Sequence, residues 1–229
     1  MINYPEKAVY TYDDLVNILR ILRAPGGCPW DREQTHESNR RNFLEEAYEA
    51  AEAFDLDDPE LMKEELGDVL MQVAFHTCME QETGRFTWEQ VCDGVCQKLI
   101  ERHPNIFGTQ PGYEGITDWD ALKNKEKGRR TLADDLESVP RAMPALMRAA
   151  KLQKRAARHG AALQGADAAA LADAAENLQT AQPASAQAEQ AVGELLFAAA
   201  NLARQAGVDP EQALQKANEA FCTAAGPVA

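Results

Sequence analysis

The sequence predicts an all-α fold built as two tandem helical bundles. Apolar residues recur at helical spacing nearly throughout, alternating strand patterns are hard to find, and the second half of the chain echoes the first. The 229 residues are 45% hydrophobic, enough for a sizeable core in one large domain or two small ones.

The elements follow in order. Thr11 caps a helix that sets Leu15, Ile18, Leu19 and Leu22 on one face. The stretch APGGCPWD then breaks the chain. A second helix spans about His36 to Phe54 and is expected to bury Phe43, Leu44, Ala47, Tyr48 and Ala51. Asp58-Pro59 supplies the cap and first turn of a third helix, which ends at Gly84. Thr87 with Gln90 caps a fourth, stopped by His103-Pro104. The short connections favour antiparallel neighbours.

Composition excludes several function classes. Thirty-seven acidic residues against 23 Lys and Arg give a formal charge of -14, which argues against nucleic acid polymers and anionic membranes as partners. The N-terminus lacks a charged start followed by an apolar stretch, and no run has the length of a membrane-spanning helix, so a cytoplasmic protein is expected. The five cysteines, Cys28, Cys78, Cys92, Cys96 and Cys222, are odd in number and lack metal-site spacing; free thiols are expected, with Cys92 and Cys96 in the core.

The second helix crowds Glu45, Glu46, Glu49 and Glu52 at helical spacing, where like charges repel. Glu65 and Asp68 sit one turn apart on the third. Across an antiparallel pair these two could face Glu46 and Glu49, and four converging carboxylates need a cation; all-oxygen ligands suit magnesium or manganese. The competing reading is a solvated acidic face. Against it stand the apolar neighbours of these acids and Gly67, which interrupts a good helix where a close backbone approach would need a residue without a side chain.

CPWDREQTH at Cys28–His36, EEAYE at Glu45–Glu49, EELGD at Glu64–Asp68 and KLIERHPNIFG at Lys98–Gly108 occur in an order that resembles the MazG nucleoside triphosphate pyrophosphohydrolases, among the all-α NTP pyrophosphatases. The resemblance runs on through SVPRAMPALMRAAKLQKRAARHG and covers most of the chain. It implies hydrolysis of nucleoside triphosphates to monophosphate and pyrophosphate with Mg2+ or Mn2+, by a homodimer or higher homo-oligomer. Carried over by residue, Glu46, Glu49, Glu65 and Asp68 would hold the metal and Glu45 would orient or deprotonate the attacking water. Lys98 and Arg102 would clamp phosphate oxygens, and Trp30 and His36 would line the base or ribose pocket.

The second half departs from that pattern. VGELLFAAANLARQAGVDPEQALQKANEAF echoes the third and fourth helices, and extending the match by register puts Asp173, Ala174 and Asn177 at Glu45, Glu46 and Glu49. Ala191 and Glu194 then stand at Glu65 and Asp68, and Ala220 and Ala224 at Lys98 and Arg102. Only one of the four ligand positions keeps a carboxylate. The expected organisation is a catalytic-type domain over 1–108, a linker over 109–134, and a degenerate MazG-like domain over 135–229 with a scaffold or dimerisation role. The apolar face from Leu195 through Leu202 is expected to need cover from outside its own domain. The alternative is a non-catalytic nucleotide-binding regulator. An isoprenoid synthase is disfavoured because its motifs are Asp-rich, and a di-iron bundle because Glu49 is followed three residues on by Glu52 where histidine is needed.

Overall fold

Local signals set the helix starts. In the computed structural model, which describes residues 4–104, 106–108, 128 and 131–226, the described residues form ten helices and no strand. Two compact units make up the chain, Met1–Gly115 and Ile116–Ala229.

The first unit holds α1 (Tyr12–Arg23), α2 (Pro29–Glu33), α3 (His36–Leu56), α4 (Pro59–Glu82) and α5 (Trp88–Arg102). At α1 the Thr11 backbone N–H and hydroxyl both donate to Asp14. At α3 and α5 the caps are reciprocal: Thr35 accepts from the Ser38 N–H while Ser38 Oγ accepts from the Thr35 N–H, and Thr87 does the same with Gln90. Asp58 accepts from the N–H groups of Glu60 and Leu61, ahead of Pro59 at the first position of α4. The break after α1 contains the short α2, which the sequence reading did not anticipate. Gly27 is required there, because a Cβ would stand 2.2 Å from the carbonyl oxygen of Leu22.

The core of this unit lies between α1 and α4. Val16 and Leu19 pack with Ala74, Phe75, Cys78 and Met79, flanked by Tyr12, Leu15, Leu22 and Met71. Arg23 bonds Glu82 through two nitrogens at 2.6 and 2.8 Å and covers the ring of Phe75 at 5.1 Å. Trp88 packs against Tyr12 with ring centroids 4.4 Å apart and the rings tilted by 31°, which ties the start of α5 to α1.

Helix α3 departs from expectation. Phe43, Leu44 and Tyr48 are exposed, as are Ala47 and Ala51, while Asn39, Ala50 and Ala53 are the buried residues. The cause is the partner. α3 packs on α4 through its small and polar face; Phe43 keeps an edge contact with the His76 ring, while Leu44 and Tyr48 look outward. Two smaller expectations also fail. Cys96 is exposed on α5, although all five cysteines are free as expected. Gly67 has nothing within 4 Å of where a Cβ would be, so no close approach explains it.

The second unit holds α6 (Leu132–Glu137), α7 (Ala145–Arg158), α8 (Ala168–Thr180), α9 (Ala186–Gln205) and α10 (Pro210–Ala225). Of the expected linker over 109–134, residues 109–127, 129 and 130 lie outside the described residues, and Thr131–Asp134 are the cap and first turn of α6. Buried Asp135 on α6 pairs with Arg155 of α7 at 3.0 Å, and also with Arg158 and His159. Helix α9 packs on α7 and α8, burying Ala191, Ala198, Ala200 and Asn201. Most of the Leu195–Leu202 face is thus covered inside its own unit, and Val192 and Leu196 are left exposed.

Two substitutions probe these packing claims in opposite directions. Ala53, fully buried on α3, has no room for a larger side chain, so Ala53→Leu should destabilise by about 1–3 kcal/mol. Gly67→Ala adds a methyl group to open space inside a helix and should stabilise by roughly 0.5–1 kcal/mol. Urea unfolding followed by circular dichroism measures both; a stabilised Ala53→Leu would refute the close α3–α4 contact.

Candidate metal centre

Pairing across α3 and α4 is antiparallel. His36 meets His76, Asn39 meets Gln72, and Glu49 lies with Glu65, so residue numbers rise on one helix as they fall on the other. Acids placed three residues apart on each helix then converge.

Glu46, Glu49 and Glu65 each bring a carboxylate oxygen within 4.8 Å of the others. Glu46 and Glu65 are half-buried and Glu49 is exposed. Asp68, also half-buried, stands outside that three-residue group, but its charge acts on both half-buried glutamates. Burial and then the charge of Asp68 push the Glu46 carboxyl above its usual 4.5, against a hydrogen bond from Gln72 that works the other way. Burial, followed by the charges of Glu49 and Asp68, raises Glu65. The donor set fits a hard divalent cation: every candidate ligand is an oxygen, the oxygens converge from two helices, and the folded chain bears a repulsion that a cation would relieve.

Neither Glu45 nor His36 joins this three-residue group. Glu45, one residue before Glu46, is exposed and accepts from Arg41 Nε at 2.7 Å one turn earlier. Such an exposed pair contributes only ~0.3–0.5 kcal/mol, so Arg41 is an easily displaced partner. Lys98 is exposed and Arg102 half-buried on α5. Trp30 is exposed on α2, with its carbonyl accepting from the side chain of Gln34.

His36 stands at the start of α3, ten residues before Glu46 and so about 15 Å away along the helix. Its Nδ1 lies 2.6 Å from Nδ1 of His76, and its Nε2 contacts the buried carboxylate of Glu80, which also accepts from Arg85 at 2.6 Å. Burial, then the charge of His36, lowers the pKa of His76. His36, Phe43, Val73, His76 and Phe86 line a cavity of about 500 Å³. The sequence reading missed Asn39, Gln72, His76 and Glu80. The signal was present in the run Asp68, Gln72, His76 and Glu80, which repeats at four-residue spacing on α4 and marks a polar seam.

A pH dependence follows from the two raised carboxyls. Well below 4.5 both the folded and unfolded chains hold these protons, and folding carries no penalty. As the pH rises the unfolded chain ionises first, and folding must then force charge into the group, so stability falls as pH passes through the raised values. In a chelator, thermal midpoints of the wild type should therefore drop from acid to neutral pH relative to Glu46→Gln, and added Mg2+ or Mn2+ should restore the wild type alone. Parallel profiles for the two proteins would contradict the repulsion.

Comparison with known proteins now bears on this geometry. The family model described as MazG nucleotide pyrophosphohydrolase domain matches residues 34–107, which span α3, α4 and α5. The chain is 40% identical over 218 residues to the nucleoside triphosphate pyrophosphohydrolase/pyrophosphatase MazG of Thermotoga maritima, covering 94% of this chain and 84% of that protein. It is 39% identical over 219 residues to the nucleoside triphosphate pyrophosphohydrolase of Escherichia coli K12, covering 91% and 83%. A protein of the same name in Mycobacterium tuberculosis is 38% identical over 151 residues, 64% of this chain and 45% of its own. With such identity across most of both chains, and the family model lying over the helices that carry the acids, this chain belongs to the MazG family.

Proposed function

We propose that the chain is a nucleoside triphosphate pyrophosphohydrolase that uses Mg2+, with Mn2+ able to substitute, in housekeeping of the cytoplasmic nucleotide pool. The observation that carries this reading is the convergence of Glu46, Glu49 and Glu65 across α3 and α4, with Asp68 acting on two of them. The Thermotoga and Escherichia relatives, both named nucleoside triphosphate pyrophosphohydrolases, support it. In addition, no described helix is long and apolar enough to cross a membrane.

Glu46, Glu49, Glu65 and Asp68 would hold the ion. When bound, it supplies charge neutralisation at the triphosphate oxygens, polarises the phosphorus under attack and acidifies a bound water. Glu45 would orient the attacking water and take its proton, exchanging Arg41 for the new partner. Water adds to the phosphorus, the bond between the α-phosphorus and the bridging oxygen breaks, and pyrophosphate leaves with its electron pair. Lys98 and Arg102 meet phosphate oxygens, where cations offset the charge that develops. Trp30 and His36 serve the base or ribose, His36 from the wall of the 500 Å³ cavity.

The exposed apolar face of α3 supports a homodimer. Leu44 and Tyr48 lie exposed on one helix beside Phe43, and an exposed apolar stripe of this kind is what a second copy covers. The second unit, in which Ala174 and Ala191 take the places of Glu46 and Glu65, serves as a scaffold without a catalytic metal.

Product analysis with a panel of nucleoside triphosphates should give monophosphate and pyrophosphate, and Glu46→Gln or Asp68→Asn should remove turnover at limiting Mg2+ while the fold persists. Nucleoside diphosphate and orthophosphate as first products would refute the reaction, and full activity in either variant would refute the ligand assignment. The assembly is tested separately by light scattering: Tyr48→Glu should shift a dimer towards monomer, and truncation after Ala133 should lower stability or alter the oligomer. An unchanged dimer in Tyr48→Glu would exclude the α3 face as its interface.

A further inference from the structure

We propose that Asn42, Asn39 and Gln72 form a one-way chain of amide hydrogen bonds that positions the Glu46 carboxylate for a divalent cation. Asn42 Nδ2 donates to Asn39 Oδ1 at 3.2 Å, and Asn39 Nδ2 donates to Gln72 Oε1 at 2.6 Å. Gln72 Nε2 then donates to Glu46 Oε1 at 3.5 Å, at the long end of hydrogen bonding. Asn39 and Gln72 are 3% and 4% exposed, inside the α3–α4 seam.

The direction of this chain is imposed by its last member. An ionised carboxylate accepts and cannot donate, so Gln72 must turn its NH2 group towards Glu46. Its carbonyl oxygen then faces Asn39, which must present its own NH2, and the Asn39 oxygen in turn requires the NH2 of Asn42. Every amide in the row is thereby fixed in one of its two orientations. Two apolar side chains would fill the same seam without the cost of burying amides. What the amides add is direction: one oxygen of Glu46 is tied to α4, which limits rotation of the carboxylate and keeps it beside Glu49 and Glu65. Gln72 and Asn39 are positioning residues, acting through Glu46. This role rests on the metal reading of the three glutamates.

The test is direct binding of Mn2+ to the full chain, read from the electron paramagnetic resonance signal of the free ion, with folding confirmed by circular dichroism. Glu46→Gln should abolish tight binding. Gln72→Met, which keeps the length but loses the N–H, should weaken binding about tenfold, the low end for residues that orient a metal ligand. Asn39→Ala should weaken it in the same direction but less, because Gln72 is then free to turn. In turnover assays Gln72→Met should raise the half-saturating Mg2+ concentration and largely recover its rate at saturating Mg2+, a split that a purely structural role would not produce. A folded Gln72→Met with wild-type Mn2+ affinity overturns the amide chain while leaving the metal reading in place. If Gln72→Met does not fold, unchanged affinity in Asn39→Ala overturns it equally. A wild type that binds no Mn2+, or Glu46→Gln that binds like wild type, overturns the metal reading and the chain with it.

Discussion

Close contact between α3 and α4 is the constraint on which the first unit depends. Ala50 and Ala53 are 4% and 0% exposed, and such small side chains let two helix backbones approach far enough for acids on both to meet. The approach inverts the usual amphipathic arrangement. Polar and acidic residues of α3 face its partner, while Leu44 and Tyr48 face outward. Stability has to come from elsewhere, and it comes from α1, whose Val16 and Leu19 close a core against the C-terminal half of α4. One end of α4 therefore carries the acids, and the other combines the apolar core with the His76 and Glu80 contacts.

The seam between α3 and α4 is graded along its length. From one end it runs through alanines, the three glutamates, the Gln72–Asn39 amides, and the His36–His76 pair with Glu80. Each polar layer is bonded to a neighbour, which is the condition for keeping such groups in a helix interface. In the second unit α8 and α9 meet with Ala174 and Ala191 buried, the residues that the sequence comparison within the chain sets against Glu46 and Glu65. Asn177, Gly193 and Glu194 join Ala174 in lining a cavity of about 610 Å³ there. The acids Asp173 and Glu194 both line that cavity, and with alanines at the two buried positions the α8–α9 contact is made largely by small side chains.

Much of this was legible in the sequence because the relevant forces are local. Thr11, Thr87 with Gln90, and Asp58-Pro59 mark helix starts through bonds made within one turn, and each starts a helix in the structure. The acidic residues were legible too, since charge crowded at helical spacing demands compensation. The orientation of α3 was not. A periodic pattern reveals that a helix has two faces but not which face meets the rest of its own chain, so Phe43, Leu44 and Tyr48 were placed inside. Gly67 was assigned a packing role that its open surroundings do not support. Asn39, Gln72 and His76 were missed because neutral amides and imidazoles carry no charge pattern, and their roles exist only once two helices are side by side.

The central claim is that the acids of α3 and α4 form a divalent cation site. Its most direct test is a crystal structure of the full chain grown with millimolar Mn2+, with anomalous scattering collected to locate the ion. The account predicts a manganese peak bonded to carboxylate oxygens of Glu46, Glu49 and Glu65, with Asp68 close by. A manganese peak bound elsewhere, with these carboxylates turned apart into solvent, would contradict it.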